Sequence, residues 1–142
     1  MSGQVHRVER TVRFADCDAA GIVFFPRYFE MLNEVVETWF ESALGCSFRT
    51  LHLAQDQGVP TARFEVEFHA PSRLEDRLVL ELDVERLGRA SATLRHRVSC
   101  DGQSRLTGRQ TIVFVGEQMR ARPWPDDLRV RMTPFLISPE AA

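Results

Sequence analysis

What most constrains this chain is a change of hydrophobic period partway along it. Between Pro26 and Leu44, bulky apolar residues recur three and four apart: Tyr28, Phe29, Leu32, Val35, Val36, Trp39, Phe40 and Ala43. That spacing paints one broad face of a long helix. Pro26 suits its first turn, where a missing N–H costs nothing, and Gly45 suits the residue just past its end. Glu30, Glu34, Glu37 and Glu41 form the solvated face. Beyond residue 60 the period becomes two. Phe64, Val66 and Phe68 alternate with Arg63, Glu65 and Glu67, the run Leu78 to Val84 with Val79, Glu81, Asp83 and Glu85, and the run Ala92 to Val98 with Ser91, Thr93, Arg95 and Arg97, and Arg105 to Val115 is a further β-rich run. Asp101-Gly102 marks a hairpin between the last two runs. An alternating stretch over Val5 to Phe14 predicts a strand before the helix. A weaker helical piece is predicted over Phe48 to Gln57, and a helical turn near Asp126 to Val130.

One broad-faced helix among several half-buried strands implies an α+β fold, with the helix packed on a highly curved antiparallel sheet. The four runs after the helix are expected to pair in series as a meander. No linker, repeat or low-complexity stretch interrupts them, so residues 1–142 are expected to form a single domain.

Composition excludes several functions. No apolar run approaches the roughly 18 residues of a membrane-spanning helix. The start, Met1-Ser2-Gly3-Gln4, does not read as a secretory leader. Cys17, Cys46 and Cys100 are odd in number and lack metal-ligand spacing, so no disulfide framework or zinc site is expected and a reducing cytoplasm is the natural location. A net charge of −2 argues against nucleic acid as a partner. All 18 basic residues are arginine. A lysine nucleophile, Schiff base or P-loop lysine is therefore excluded, and phosphate contacts must come from arginine or backbone N–H groups.

Candidate chemistry sits between the first strand and the helix, in Asp16-Cys17-Asp18-Ala19-Ala20-Gly21-Ile22-Val23-Phe24-Phe25-Pro26. Two acids two apart precede a helix start. The unpaired N–H groups there can hold a developing oxyanion, and a nearby carboxylate can serve as nucleophile or base. Turn and cap formation is the plain structural alternative for both acids. A calcium loop is excluded, because Ala20 and Arg27 stand where ligands are required. A phosphatase Asp-x-Asp pair would need a larger doubly wound sheet. Cys17 between two acids makes a poor thiolate and reads as a small buried side chain. His96, in mid-strand, reads as a satisfied structural histidine, and no serine elbow is present.

The run from Asp16 through Phe29 closely resembles the signature of hotdog-fold acyl-CoA thioesterases, and within them the 4-hydroxybenzoyl-CoA thioesterase family. The resemblance extends over most of the chain in element order. It implies a sheet wrapped around the helix and protomers joined edge to edge as a homodimer or homotetramer. Active sites lie between subunits, and no metal or organic cofactor is needed. By position, Asp18 matches the catalytic carboxylate and the Phe25 backbone N–H the group that polarises the thioester carbonyl. Asp16 shapes the loop beside the substrate. Gly21 and Phe24 belong to the same substrate-binding motif. Coenzyme A phosphates are expected at the turn Arg86-Leu87-Gly88-Arg89-Ala90-Ser91, on Arg89 and Ser91 with Arg86 nearby. Members often carry more basic residues in that turn. Asn33 stands where hydroxybenzoyl-selective members place an acid, which leaves benzoyl, other aryl or short acyl groups open. Another branch has histidine where Phe25 stands.

The resulting expectation is an enzyme that hydrolyses aryl-CoA or short acyl-CoA thioesters. The alternatives are a broad short-chain acyl-CoA or acyl-carrier-protein thioesterase and a non-catalytic acyl-CoA-binding module. Sensors of the last kind usually carry a DNA-binding segment, for which no room is read before Val5, and hydratases of this fold use an Asp/His pair not seen here.

Overall fold

The computed structural model describes residues 3–137. Strand β1 (His6–Thr11) is followed by helix α1 (Phe25–Thr38) and strand β2 (Thr61–Phe68). Strands β3 (Arg77–Leu87), β4 (Ser91–Cys100) and β5 (Gln103–Val113) come next, and α2 (Asp126–Met132) near the end. The five strands form one antiparallel sheet in the order β1-β3-β4-β5-β2.

Only β3, β4 and β5 form the serial meander. The expectation that all four later strands pair in series is corrected: β2 crosses the sheet to pair with β5, with Phe64 opposite Gln110 and Phe68 opposite Leu106. The connection over residues 69–76 is too long for a hairpin, and it leaves β2 at the edge opposite β1. The hairpin at Asp101-Gly102 is present, with both residues at positive φ (50° and 79°).

α1 lies across the sheet and buries Tyr28, Met31, Leu32, Val35 and Val36 against Leu78, Leu80, Leu82, Leu94, Val98 and Leu106. Each such side chain contributes roughly 2 kcal/mol by leaving water. The regular helix stops at Thr38, earlier than the predicted Leu44, and continues as a π-helical turn over Trp39–Ala43. The wider turn lets two adjacent aromatics, Trp39 and Phe40, both be fully buried, edge to face at 5.5 Å. The segment after it is likewise a π-helical turn, Thr50–Ala54. Gly45 has φ +66°, and a Cβ there would lie 2.0 Å from the Arg131 guanidinium that donates to the Leu44 carbonyl.

Before the bulge at Val84–Arg86, the alternation on β3 has one exception. Asp83 shares parity with the outward Glu81 and Glu85 yet is 4% exposed, because Arg95 lies over it with two 2.7 Å hydrogen bonds and Arg97 adds a third. Burial pushes its carboxyl up, but the two guanidinium groups outweigh this and hold it below the usual carboxylate range.

Candidate active site

The segment between β1 and α1 folds back on itself as a small hairpin. Phe24 N–H donates to the Asp16 carbonyl, Asp18 N–H to that of Ile22, and Cys17 and Val23 form a bridge between the arms. Asp18 starts the tight turn at the tip, where Gly21 N–H returns to the Asp18 carbonyl at 3.0 Å. Gly21 has φ +80°, in the left-handed region that L side chains avoid. A Cβ there would meet nothing within 4 Å, so its requirement is conformational rather than steric.

The two acids have separate positions. Asp16 is buried; one carboxylate oxygen accepts Arg10 Nη2 at 3.2 Å and the other the Arg13 N–H at 2.9 Å. It anchors the hairpin's base. Asp18 is exposed at the tip. Its Oδ1 accepts the Ala20 N–H at 2.8 Å, while Oδ2 has no partner among the described residues. Cys17 is half-exposed rather than buried, with its thiol 3.6 Å from the Arg13 carbonyl. Desolvation, then Asp16 and Asp18, push that thiol up, which disfavours a thiolate.

The second arm runs directly into α1. Phe24 caps the helix and Pro26 occupies its first turn. Phe24 and Arg27 donate their N–H groups to the Asp16 and Phe24 carbonyls. Pro26 has no N–H, and the Phe25 N–H has no acceptor among the described residues. It is a free donor at the positive end of the helix. Beside it lies an aromatic patch open to solvent. Phe24 and Phe25 are 48% and 59% exposed and Phe68, on the edge strand β2, is 49% exposed. Their rings follow one another at 5.7 and 6.3 Å.

Other predicted site residues are not brought to this point within one protomer. Asn33 lies further along α1, in an exposed hollow with Glu30, Glu34 and Glu37. Arg86, Arg89 and Ser91 sit at the β3–β4 turn. Thr11 pairs with Arg77 at the hairpin's end of β3, whereas Leu87 pairs with Ala92 at the other. With 11 residues in β3, the two ends are roughly 30 Å apart along the strand. The arginine turn is braced by Arg129, which donates to the Gly88 carbonyl, and by Trp124, which donates to that of Ser91.

His96 is buried but only half satisfied. Its Nε2 pairs with Gln110 Oε1 at 2.8 Å, its Nδ1 has no partner among the described residues, and its ring stacks on Phe64 at 5.7 Å. Among the described residues no group of three His, Cys, Asp or Glu side chains converges as a metal site would require. None of their helices is long and apolar enough to cross a membrane.

One antiparallel sheet packed on a single long helix is the hotdog architecture, and the proteins this chain is similar to make it a thioester hydrolase. The thioesterase-like superfamily profile matches residues 12–132, and the chain belongs to that superfamily. It is similar to a 1,4-dihydroxy-2-naphthoyl-CoA hydrolase of Synechococcus elongatus, 30% identical over 128 residues that cover 87% of this chain and 92% of that protein. Among solved structures it is similar to a 4-hydroxybenzoyl-CoA thioesterase from a Pseudomonas species, with a TM-score of 0.83 and 25% identity over 90% of this chain and 99% of that one. A thioesterase-superfamily structure from Jannaschia sp. gives a TM-score of 0.85 and 29% identity over 96% of this chain and 95% of that one.

Proposed function

We propose that the protein hydrolyses aromatic acyl-CoA thioesters, with Asp18 as the catalytic carboxylate and the Phe25 N–H as the donor to the thioester oxygen. The observation that supports this most is the Phe25 N–H at the α1 terminus, which has no acceptor among the described residues and lies on the same segment as the exposed Asp18 carboxylate and half-exposed Phe24 and Phe25. The thioester carbonyl accepts from Phe25 N–H, which stabilises the oxyanion as charge develops. Asp18 attacks the carbonyl carbon, or takes a proton from water that does. The C–S bond breaks and coenzyme A leaves as thiolate, a good leaving group that needs no strong general acid. Water supplies the remaining oxygen and protons, giving the free acid and the thiol. The phenyl rings of Phe24, Phe25 and Phe68 suit an aryl group by stacking or edge contact. The naphthoyl- and hydroxybenzoyl-CoA hydrolases to which the chain is similar favour the same class. They do not select hydroxybenzoyl over other aryl groups here, and Asn33, being uncharged, does not single out a phenol.

The distance between Asp18 and the arginine turn gives the assembly its role. β2 is one of the sheet's two edge strands, with Phe68 at the hairpin's end and Thr61 at the end of the arginine turn. Antiparallel pairing of β2 with a second copy brings the partner's arginine turn to the end of the sheet where Asp18 stands. Each site then takes its carboxylate from one protomer and its phosphate-binding groups, Arg86, Arg89 and Ser91, from the other. Asn33 reaches a substrate from across the same junction.

The test is a panel of 1,4-dihydroxy-2-naphthoyl-, benzoyl-, 4-hydroxybenzoyl-, butyryl- and palmitoyl-CoA. Aryl substrates are expected to have the highest kcat/KM, and Asp18→Asn to lose at least about a hundredfold in kcat. Full activity in Asp18→Asn ends the carboxylate mechanism, and a preference for palmitoyl-CoA ends the aryl assignment. Mixing Asp18→Asn with an Arg86→Ala/Arg89→Ala chain is expected to restore activity neither has alone, because a mixed dimer keeps one intact site.

A further inference from the structure

Tyr28, the chain's one tyrosine, lies on the first turns of α1 among leucines and valines. Unlike them it carries a hydroxyl, and burying that group without a partner would be costly. Its side chain is 4% exposed, and its OH donates to Ser72 Oγ at 2.8 Å across 44 residues of sequence. Ser72 is fully buried. It belongs to the connection between β2 and β3, and its backbone carbonyl accepts the Val23 N–H at 2.9 Å. The neighbouring Arg73 forms a bridge with Ile22. The returning arm of the Asp18 hairpin is therefore attached to residues 72 and 73, and residue 72 is fastened to the helix whose N-terminus the site uses.

The far side of this connection is fixed from the sheet. Arg105 on β5 donates through Nη1 to the Pro71 carbonyl at 3.0 Å and to Asp76 Oδ2 at 2.7 Å. Asp76 Oδ2 also accepts the Arg73 N–H at 2.9 Å. Backbone hydrogen bonding from Arg73 and the Arg105 guanidinium hold the Asp76 carboxyl below its ordinary range, so the clamp stays charged at neutral pH. Burial pushes the Tyr28 phenol up despite the Ser72 bond, so it remains a donor there.

We propose that Tyr28 and Ser72, braced by Arg105 and Asp76, are positioning residues that set the Asp18 hairpin against the first turn of α1. Neither touches the reacting atoms; they act through the Val23 N–H and the Ile22–Arg73 bridge. The inference rests on the thioesterase reading for its catalytic consequence, but its mechanical content stands apart from it. Removing the Tyr28 hydroxyl leaves the ring and its packing on Phe68 (5.7 Å) in place and frees Ser72 from the helix. The substrate's aryl and nucleotide contacts remain, so the loss belongs to the chemical step rather than to binding.

The experiment uses Tyr28→Phe, Ser72→Ala and the double variant of the full chain, with two readouts. In steady-state hydrolysis of the best aryl-CoA, each single variant is expected to lose ten- to about a hundredfold in kcat, the range for a misplaced reacting group, with KM within about twofold. The double variant loses no more than the worse single variant, because one bond is shared. In amide hydrogen exchange without substrate, residues 17–24 of each variant exchange about tenfold faster than in the wild type, while the centre of β4 is unchanged. Wild-type kcat together with wild-type exchange at 17–24 overturns the proposal, as does equal acceleration across the sheet, which would make Tyr28 an ordinary core residue. A wild-type protein that hydrolyses no thioester sinks the thioesterase reading, and the exchange arm still decides the latch. Should Tyr28→Phe not fold, Ser72→Ala breaks the same bond from the other side.

Discussion

At His96 a neutral imidazole is held inside the sheet. Gln110 donates its amide N–H to Thr61 Oγ1 at 2.7 Å, so its oxygen faces His96, which donates from Nε2. Burial is the largest influence on the ring and, with Arg97 adding in the same direction, lowers its pKa from 6.5 to about 4. The unfolded chain binds this proton more readily than the folded one. Stability from this group is therefore complete above pH 6.5 and is lost as pH falls from 6.5 toward 4, up to about 3 kcal/mol. Urea denaturation at pH 7 and pH 4.5 is expected to show the wild type losing about 2 kcal/mol more than His96→Leu. Equal losses would mean that the ring binds its proton as readily in the fold as in the unfolded chain. The residue type and mid-strand parity of His96 were readable in the sequence, and they placed it in the core. Its orphan nitrogen was not, because the partner on the neighbouring strand depends on register. The same holds for Tyr28 and Ser72, 44 residues apart in the chain.

Among the elements, helix and strand existence followed from periodicity, and pairing did not. Phe64, Val66 and Phe68 announce a strand that faces the core on one side, but that alternation is the same whichever neighbour the strand takes. Only turn chemistry distinguishes a hairpin from a crossover. Asp101-Gly102 carries it between β4 and β5, whereas Pro71 and its surroundings between β2 and β3 do not. The β2–β5 seam has its own requirement in Gly108, opposite Val66 and His96. A Cβ at Gly108 would stand 3.1 Å from the Glu65 carbonyl and 3.7 Å from the Phe64 ring that stacks on His96. Gly108→Val is expected to cost about 1–3 kcal/mol through overpacking and to loosen β2 ahead of the other strands. Denaturant midpoints check the cost. Exchange at residues 61–68 checks the location: uniform loosening of the sheet would refute the local account.

For the molecule as a whole, an edge strand with unpaired backbone groups beside half-exposed Phe24, Phe25 and Phe68 is an unusual surface for a chain that stays alone. The proposed assembly predicts sedimentation as a dimer or larger at micromolar concentration. It also predicts specific activity that falls on dilution as the protomers separate. A monomer that retains full specific activity would contradict a site shared between chains. Phe68→Asp on β2 is expected to shift the protein toward monomer and to lower activity in step, by about tenfold or more at equal concentration, since the proposed β2–β2 junction would bury the new charge without a partner.

The roughly 30 Å between the Asp18 hairpin and the arginine turn also bears on inheritance. If each site is shared between two protomers as proposed, a chain damaged at both places would disable not only its own half of each reaction centre but the complementary half supplied by a healthy companion. Co-expressed with an intact allele, it would act dominantly: healthy chains would remain productive only where they met one another, so output would follow the square of their share of the pool.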